Sequence, residues 1–212
     1  MKTLAIIGAG HLGQQIAHFA ITDGHYKEVV FFDDFNEEEE VNGFAIIGKT
    51  SLIEDSFNRK IFDEIIIGVG YKHMDARKIL FKNFVLKVPF AIIVHSSSIV
   101  DSTAILGSGT IVYPGSIIDA NVKIKDNILI NIGCSIAHDT IIHSHCFISP
   151  RVALAGFIII GEECILGINS TVIDNIKIAD AVQIGGGTVV IKNIEKSGLY
   201  VGNPARFIKE NL

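Results

Sequence analysis

The chain of 212 residues is 49% hydrophobic, enough apolar side chain to fill well-packed cores, and this composition excludes an intrinsically disordered protein. A formal net charge of −5 gives no general attraction to nucleic acid or to an anionic membrane. Three cysteines without a CxxC pair exclude a disulfide framework or a zinc knuckle, and no apolar run approaches the roughly 18 residues of a membrane span, so a soluble cytoplasmic protein is expected.

The first element is the apolar run Thr3–Ile7, too short for a signal-peptide core and suited to a buried strand. It leads into Gly8-Ala9-Gly10-His11-Leu12-Gly13 and a helix-compatible stretch ending near Thr22. A second strand, Glu28–Phe32, ends at Asp33-Asp34, about 20 positions after Gly13, the spacing of a GxGxxG nucleotide-binding fingerprint. Glycines let a backbone approach a pyrophosphate at a helix N-terminus, and a carboxylate after the second strand accepts hydrogen bonds from a ribose or base. The bland alternative is a glycine loop that only packs strand on helix. Four glutamates at 37–40 read as a solvated loop. A strand over 64–69 runs into Gly68-Val69-Gly70, followed by Tyr71, Lys72 and Arg77, where a sheet's carboxyl edge would meet a ligand. A further strand is expected over 90–94. Only about 90 residues precede the next feature, enough for half a dinucleotide fold. Half a dinucleotide fold suits a nucleotide that carries some other group.

From Leu106 to Val190 every sixth residue is Leu, Ile or Val, through fifteen positions without a slip. Two residues before each of these the side chain is small or medium, and that column contains Cys134, Cys146 and Cys164. Three residues after it Gly, Asn and Asp dominate, the residues that tolerate positive φ. Period six with two inward positions and one bend describes a short strand and a corner, three of which close one coil of a triangular solenoid. Fifteen hexads make five coils, roughly 24 Å tall at about 4.8 Å per strand. Period six is not commensurate with 3.6, which excludes a helix, and turn signals come too often for a sandwich. The fold class is therefore an α/β Rossmann-like half-domain over 1–94, a left-handed parallel β-helix of hexapeptide repeats over 95–202, and a C-terminal tail over 203–212. The cysteines read as small core residues.

Of eight histidines, three fall in His138-Asp139-Thr140-Ile141-Ile142-His143-Ser144-His145. In the hexad frame His138 and Asp139 occupy a corner and project outward. Imidazole titrates near neutrality and can take a proton from an attacking amine or hydroxyl, while an adjacent carboxylate fixes its tautomer. A surface histidine without a role is the alternative.

With the repeats, His138-Asp139, Ser149-Pro150, the run Leu166-Gly167-Ile168-Asn169-Ser170, Gly185-Gly186-Gly187 and the ending Val201-Gly202-Asn203-Pro204-Ala205-Arg206, the chain resembles the sialic acid O-acetyltransferase and nucleotide-amino-sugar N-acetyltransferase family over nearly its whole length. The resemblance implies a homotrimer with acetyl-CoA between neighbouring β-helices and a UDP- or dTDP-linked amino sugar, destined for a surface glycan, held by the N-terminal domain. It makes His138 the general base and Asp139 its partner. It assigns Gly10, His11, Asp33, Asp34 and Gly70 to the nucleotide sugar, and Ile168 and Gly186 to acetyl-CoA. Two departures stand out: Phe147 occupies the column where many members have a second histidine against acetyl-CoA, and the glycine loop is one residue shorter than the common form.

The residues themselves add Arg206, in a stretch from Thr188 to Leu212 whose net charge is positive and would suit coenzyme A phosphates. Direct transfer in a ternary complex is expected, with a backbone N–H near Gly156 stabilising the oxyanion. No metal or nucleic acid is expected. The alternatives are sialic acid or other sugar O-acetylation, a γ-carbonic-anhydrase-like zinc site using His138 and His143, and a non-catalytic nucleotide-sensing solenoid. Ser102 stands where the zinc site needs its third histidine.

Overall fold

In the computed structural model, which describes residues 2–210, the first unit spans Met1–Ile93 and the second Val94–Leu212. The first contains β1 (Thr3–Ile7), α1 (His11–Thr22), β2 (Glu28–Phe32), β3 (Glu40–Val41), β4 (Phe44–Gly48), α2 (Ile53–Asn58), β5 (Glu64–Ile67) and α3 (Met74–Phe84). The sheet order is β3-β4-β2-β1-β5, parallel except for β3. β1 lies between β2 and β5 and is apolar on both faces, with Leu4, Ala5 and Ile6 inaccessible to solvent, as expected of a central parallel strand. Ala5, Ile7, Val30, Phe32, Ile65 and Ile67 pack with Ile53 of α2 and with Phe81 and Phe84 of α3.

Register puts Ile7 opposite both Phe32 and Ile67, so the three strands finish on one edge. The chain moves to opposite sides of β1 in forming β2 and β5, and a ligand crevice is expected outside the carboxyl ends at such a reversal. Gly13 closes α1 onto this edge. A Cβ there would lie 1.9 Å from the Gly8 carbonyl oxygen, and one on Gly68 would lie 2.6 Å from Gly13 Cα. The glycines thus set how closely β1, α1 and the end of β5 approach.

Two expectations for this unit need correction. The acidic run does not end as a loop: Glu40 belongs to the β3–β4 hairpin, whose turn is Asn42-Gly43 with φ of 50° and 79°. Both central residues at positive φ mark a type I′ connection, for which Asn-Gly is the favoured pair. Residues 90–94 do not form another strand of this sheet either. Phe90 makes one isolated parallel bridge to Ile65, and Ile93–Val94 instead joins the solenoid ladder.

The second unit is the left-handed parallel β-helix. Two-residue strands recur every six positions and pair in parallel with the strand 18 residues later, as in Ile118 with Ile136 and Ile136 with Leu154. Three sheets of six, five and eight strands form the sides. The inward aliphatics from Val112 to Val190 form one core whose members are almost all fully buried. The stack begins two hexads before Leu106, with Val94 and Val100 packed on this core.

The small column has a polar task that the repeat pattern did not reveal. Ser116 Oγ donates to Asn131 O at 2.8 Å, Thr140 Oγ1 to Ala155 O at 3.1 Å and Cys134 Sγ to Ser149 O at 3.2 Å. Side chains of this size fit the corner while satisfying a buried carbonyl. Burial pushes the Cys134 thiol up to about 11, outweighing the hydrogen bonds from the backbone, so it stays protonated as a core residue. Residues 203–212 are also more than a tail as far as they are described: Gly198–Val201 extends the ladder and Arg206–Lys209 folds back antiparallel on it. Asn211 and Leu212 lie outside the described residues.

Candidate functional site

At the carboxyl edge of the first sheet lies a cavity of about 550 Å³, lined by Gly8, Asp33, Asp34, Thr50, Val69 and His73 together with apolar side chains such as Ile79 and Leu80 of α3. Asp33 is held by the backbone around it. Its Oδ2 accepts the Ala9 N–H at 2.7 Å, and its Oδ1 accepts those of Phe35 and Asn36 at 2.9 Å. Burial disfavours the ionised form, but the N–H groups of Ala9, Phe35 and Asn36 outweigh it and hold the carboxyl below the usual carboxylate range. Asp34 is more exposed and accepts from Thr50 N at 2.9 Å and from Thr50 Oγ1.

Asp33 and Asp34 therefore line one cavity. Gly10, His11 and Gly70 lie beside it and not in its lining: Gly10 immediately precedes α1, and Gly70 follows Val69. Neither Gly10 nor Gly70 would bring a Cβ within 4 Å of any other group, so both keep their backbone open. Arg77 is not presented to a ligand. It is 1% exposed, and its Nη1 donates to Val69 O at 2.6 Å and Ile67 O at 3.3 Å, bracing the end of β5. Thr50, His73, Ile79 and Leu80 were not anticipated. Thr50, Ile79 and Leu80 carry no motif of their own and reach this edge through the strand order, while His73 falls within the stretch after Gly70 that the sequence places at the ligand edge.

On the β-helix, His138 Nδ1 lies 3.0 Å from Asp139 Oδ2, and both side chains are partly exposed. One coil on, a Cβ at Gly156 would lie 2.7 Å from His138 Cε1 and 2.9 Å from Nε2. Only glycine leaves room for the ring in this pose. The Gly156 N–H donates to no protein group among the described residues, whereas at the equivalent corners Ala120 and Ile132 the N–H is taken by Asp119 and Asn131. Ala155 precedes Gly156 and offers no such acceptor. The residue packed against this paired imidazole thus has an N–H without a protein acceptor, and an imidazole and an N–H are groups able to accept a proton and to stabilise an oxyanion.

Ile168 and Gly186 stack one coil apart at another corner, where a Cβ on Gly186 would meet Ile168 Cγ2 at 3.1 Å. Ile168 is 56% exposed. A single chain does not bring this pair to His138, because the two corners are separated by one side of the prism, roughly 20 Å for six residues at about 3.3 Å each. Phe147 is buried in this chain, between Leu129 and Ile165 on its side of the prism. Arg206 is exposed in the final strand. Lys196, by contrast, pairs with Glu210 at 2.7 Å and lies over the Phe207 ring. His145 is buried against Asn127 at 2.9 Å and is no substitute for a second active-site histidine. Among the described residues no group of three His, Cys, Asp or Glu could hold a metal ion, and no helix is long and apolar enough to cross a membrane.

Residues 3–84 match the PglD N-terminal domain family. The acetyltransferase domain of PglB from Neisseria gonorrhoeae superposes with a TM-score of 0.90 at 30% identity, covering 98% of this chain and all of that one. The same domain solved with acetyl coenzyme A gives 0.90 at 29%. The GDP-perosamine N-acetyltransferase of Escherichia coli O157:H7 is 26% identical over 100% of this chain and 98% of its own length. The UDP-3-O-acylglucosamine N-acyltransferase of Bordetella pertussis is 38% identical over 79 residues, 37% of this chain, and the chain spans only 22% of that enzyme.

Proposed function

Because this chain belongs to the nucleotide-amino-sugar N-acetyltransferase family of hexapeptide-repeat, left-handed β-helix acyltransferases, we propose that it moves the acetyl group of acetyl-CoA onto the amine of a nucleotide-linked amino sugar, in the cytoplasm and for a surface glycan. The observation that carries this reading is the corner at His138, where a carboxylate holds one ring nitrogen and a glycine whose N–H has no protein acceptor among the described residues makes room for the ring.

Acetyl-CoA supplies an activated acyl group as a thioester. His138 Nε2 takes a proton from the sugar amine as its nitrogen bonds to the thioester carbonyl carbon. Asp139 keeps the ring oriented and balances the imidazolium charge. The Gly156 N–H donates to the oxyanion while it exists. As the carbonyl reforms the carbon–sulfur bond breaks, and His138 returns its proton to the departing thiolate, leaving an amide and free coenzyme A.

The N-terminal cavity, with Asp33, Asp34 and the adjacent backbone of Gly10, His11 and Gly70, takes the nucleotide part of the acceptor. One relative's name gives its acceptor as a GDP sugar, so guanine joins the uracil and thymine that the family resemblance implies. Ile168, Gly186 and Arg206, with Phe147 in the column of the missing histidine, belong to the acetyl-CoA side. Since the Ile168 corner and the His138 corner of one chain are a prism side apart, a homotrimer, in which one copy's corner meets the next copy's, would complete the site. Thiol release from acetyl-CoA across UDP-, dTDP- and GDP-linked amino sugars and free sialic acid tests the reading. Turnover with a nucleotide amino sugar is expected; turnover with free sialic acid alone would replace N-acetylation with O-acetylation.

A further inference from the structure

The bend position of each hexad from Gly109 to Gly187 has positive φ; Gly, Asn and Asp fill most of these places, His145, Arg151, Glu163 and Ala181 fill others, and Phe157 takes one with φ of 57°. Left-handed backbone is easy for glycine and tolerable for asparagine, but a bulky hydrocarbon side chain adopts it rarely and at a cost in free energy. Within its own chain Phe157 is 54% exposed, so packing inside the solenoid offsets little of that cost. The ring instead stands edge-to-face against the His138 imidazole, with centroids 5.1 Å apart and planes at 85°. Phe157 N–H also donates to His138 O at 3.1 Å, so the ladder of the solenoid itself fixes the distance between the two residues.

We propose that Phe157 is a positioning residue for the base, holding the His138 ring in one orientation. This rests on the acetyl-transfer reading and adds a residue to it. An exposed histidine on a corner would exchange among rotamers. Asp139 ties Nδ1, Gly156 lies under the ring and Phe157 closes a further side, which leaves Nε2 as the nitrogen turned to the reacting amine.

Two substitutions in the full chain separate ring from backbone. Phe157→Asn keeps a residue suited to positive φ and removes the ring; Phe157→Tyr keeps the ring. With acetyl-CoA and the nucleotide amino sugar that wild type uses best, Phe157→Asn should melt at or above the wild-type temperature, lose about 10- to 100-fold in kcat, and leave KM for acetyl-CoA essentially unchanged. Phe157→Tyr should recover most of the rate. The His138 ring-proton resonances, assigned with His138→Gln, should carry a ring-current shift that Phe157→Asn abolishes. Wild-type kcat in Phe157→Asn, loss of rate only together with loss of fold or assembly, or His138 resonances unmoved by the substitution would overturn the proposal. An absence of thiol release by wild type would count against acetyl transfer alone, and the resonances would still decide the role of Phe157.

Discussion

His138 Nδ1 and Asp139 Oδ2 lie 3.0 Å apart although the residues are neighbours in the chain, and Asp139 has φ of 57°. Successive side chains in a strand point to opposite faces. The left-handed corner instead turns both outward on one side, so the same residue that bends the chain also orients the imidazole. Asp139→Asn preserves the corner, since asparagine tolerates positive φ, and removes the charge that balances an imidazolium. It should fold normally and lower kcat by less than removal of the base itself, which costs on the order of 10²- to 10⁴-fold. Steady-state kinetics at saturating acceptor checks the order; a variant with full activity would leave Asp139 a corner residue only.

Gly156→Ala tests the space beneath the ring. The new Cβ would lie 2.7 Å from His138 Cε1, and the ring, being the partly exposed partner, is what must move. Displacing a reacting group by about 1 Å can cost on the order of 10²-fold, so kcat should fall by about that factor while the melting temperature holds. Near-normal kcat in this variant would mean that the ring works in another pose.

In the N-terminal unit the corresponding glycine test concerns the fold. Gly13→Ala sets a Cβ 1.9 Å from a backbone carbonyl oxygen that no rotamer change can relieve. A destabilisation of about 1–3 kcal/mol or more is expected from the forced backbone shift. Urea unfolding followed by circular dichroism measures it, and an unchanged midpoint would contradict the close approach of β1 and α1.

Asp33 predicts a pH dependence of determined sign. Its folded-state pKa is depressed, because three backbone N–H groups outweigh the penalty of burial. The stabilisation is therefore present above the unfolded value of about 3.9 and is lost as pH falls through the folded value. Asp33→Asn removes the titrating group, so wild type should exceed it in stability at about pH 6 and the difference should shrink by about pH 3. Melting curves at the two pH values check this; a difference that does not change with pH would show that the carboxylate charge plays no part.

Much of this architecture is legible in the sequence because the solenoid repeats its instructions. One aliphatic per hexad specifies the inner wall, and one Gly, Asn or Asp per hexad specifies the corner. Val94 and Val100 obey the same rule, but the first of them ends an apolar run that also suits a strand of the N-terminal sheet, so the pattern alone starts the stack two hexads late. The β3–β4 hairpin was signalled by Asn42-Gly43 and obscured by the run of glutamates before it. The grouping of His138 with Asp139 follows from adjacency and corner phase, and that of Asp33 with Asp34 from the fingerprint. The sequence reaches Gly156 only through its N–H, since its space for the imidazole depends on how the coils stack, and it does not reach Phe157, one of several residues other than Gly, Asn or Asp at the bend position. Arg77 differs for a related reason: a charged side chain near a ligand edge suits a ligand in the sequence, but the fold buries it and turns its guanidinium onto the carbonyls of Ile67 and Val69.

The central claim is that the corner at His138 is where an acetyl group is transferred to a nucleotide amino sugar. Its most direct test is release of coenzyme A thiol by wild type and by His138→Ala, at neutral pH and with saturating acetyl-CoA and acceptor. The account predicts turnover by wild type and a loss of on the order of 10²- to 10⁴-fold in kcat for a variant that still folds and still binds acetyl-CoA. Near-wild-type turnover by His138→Ala would contradict it.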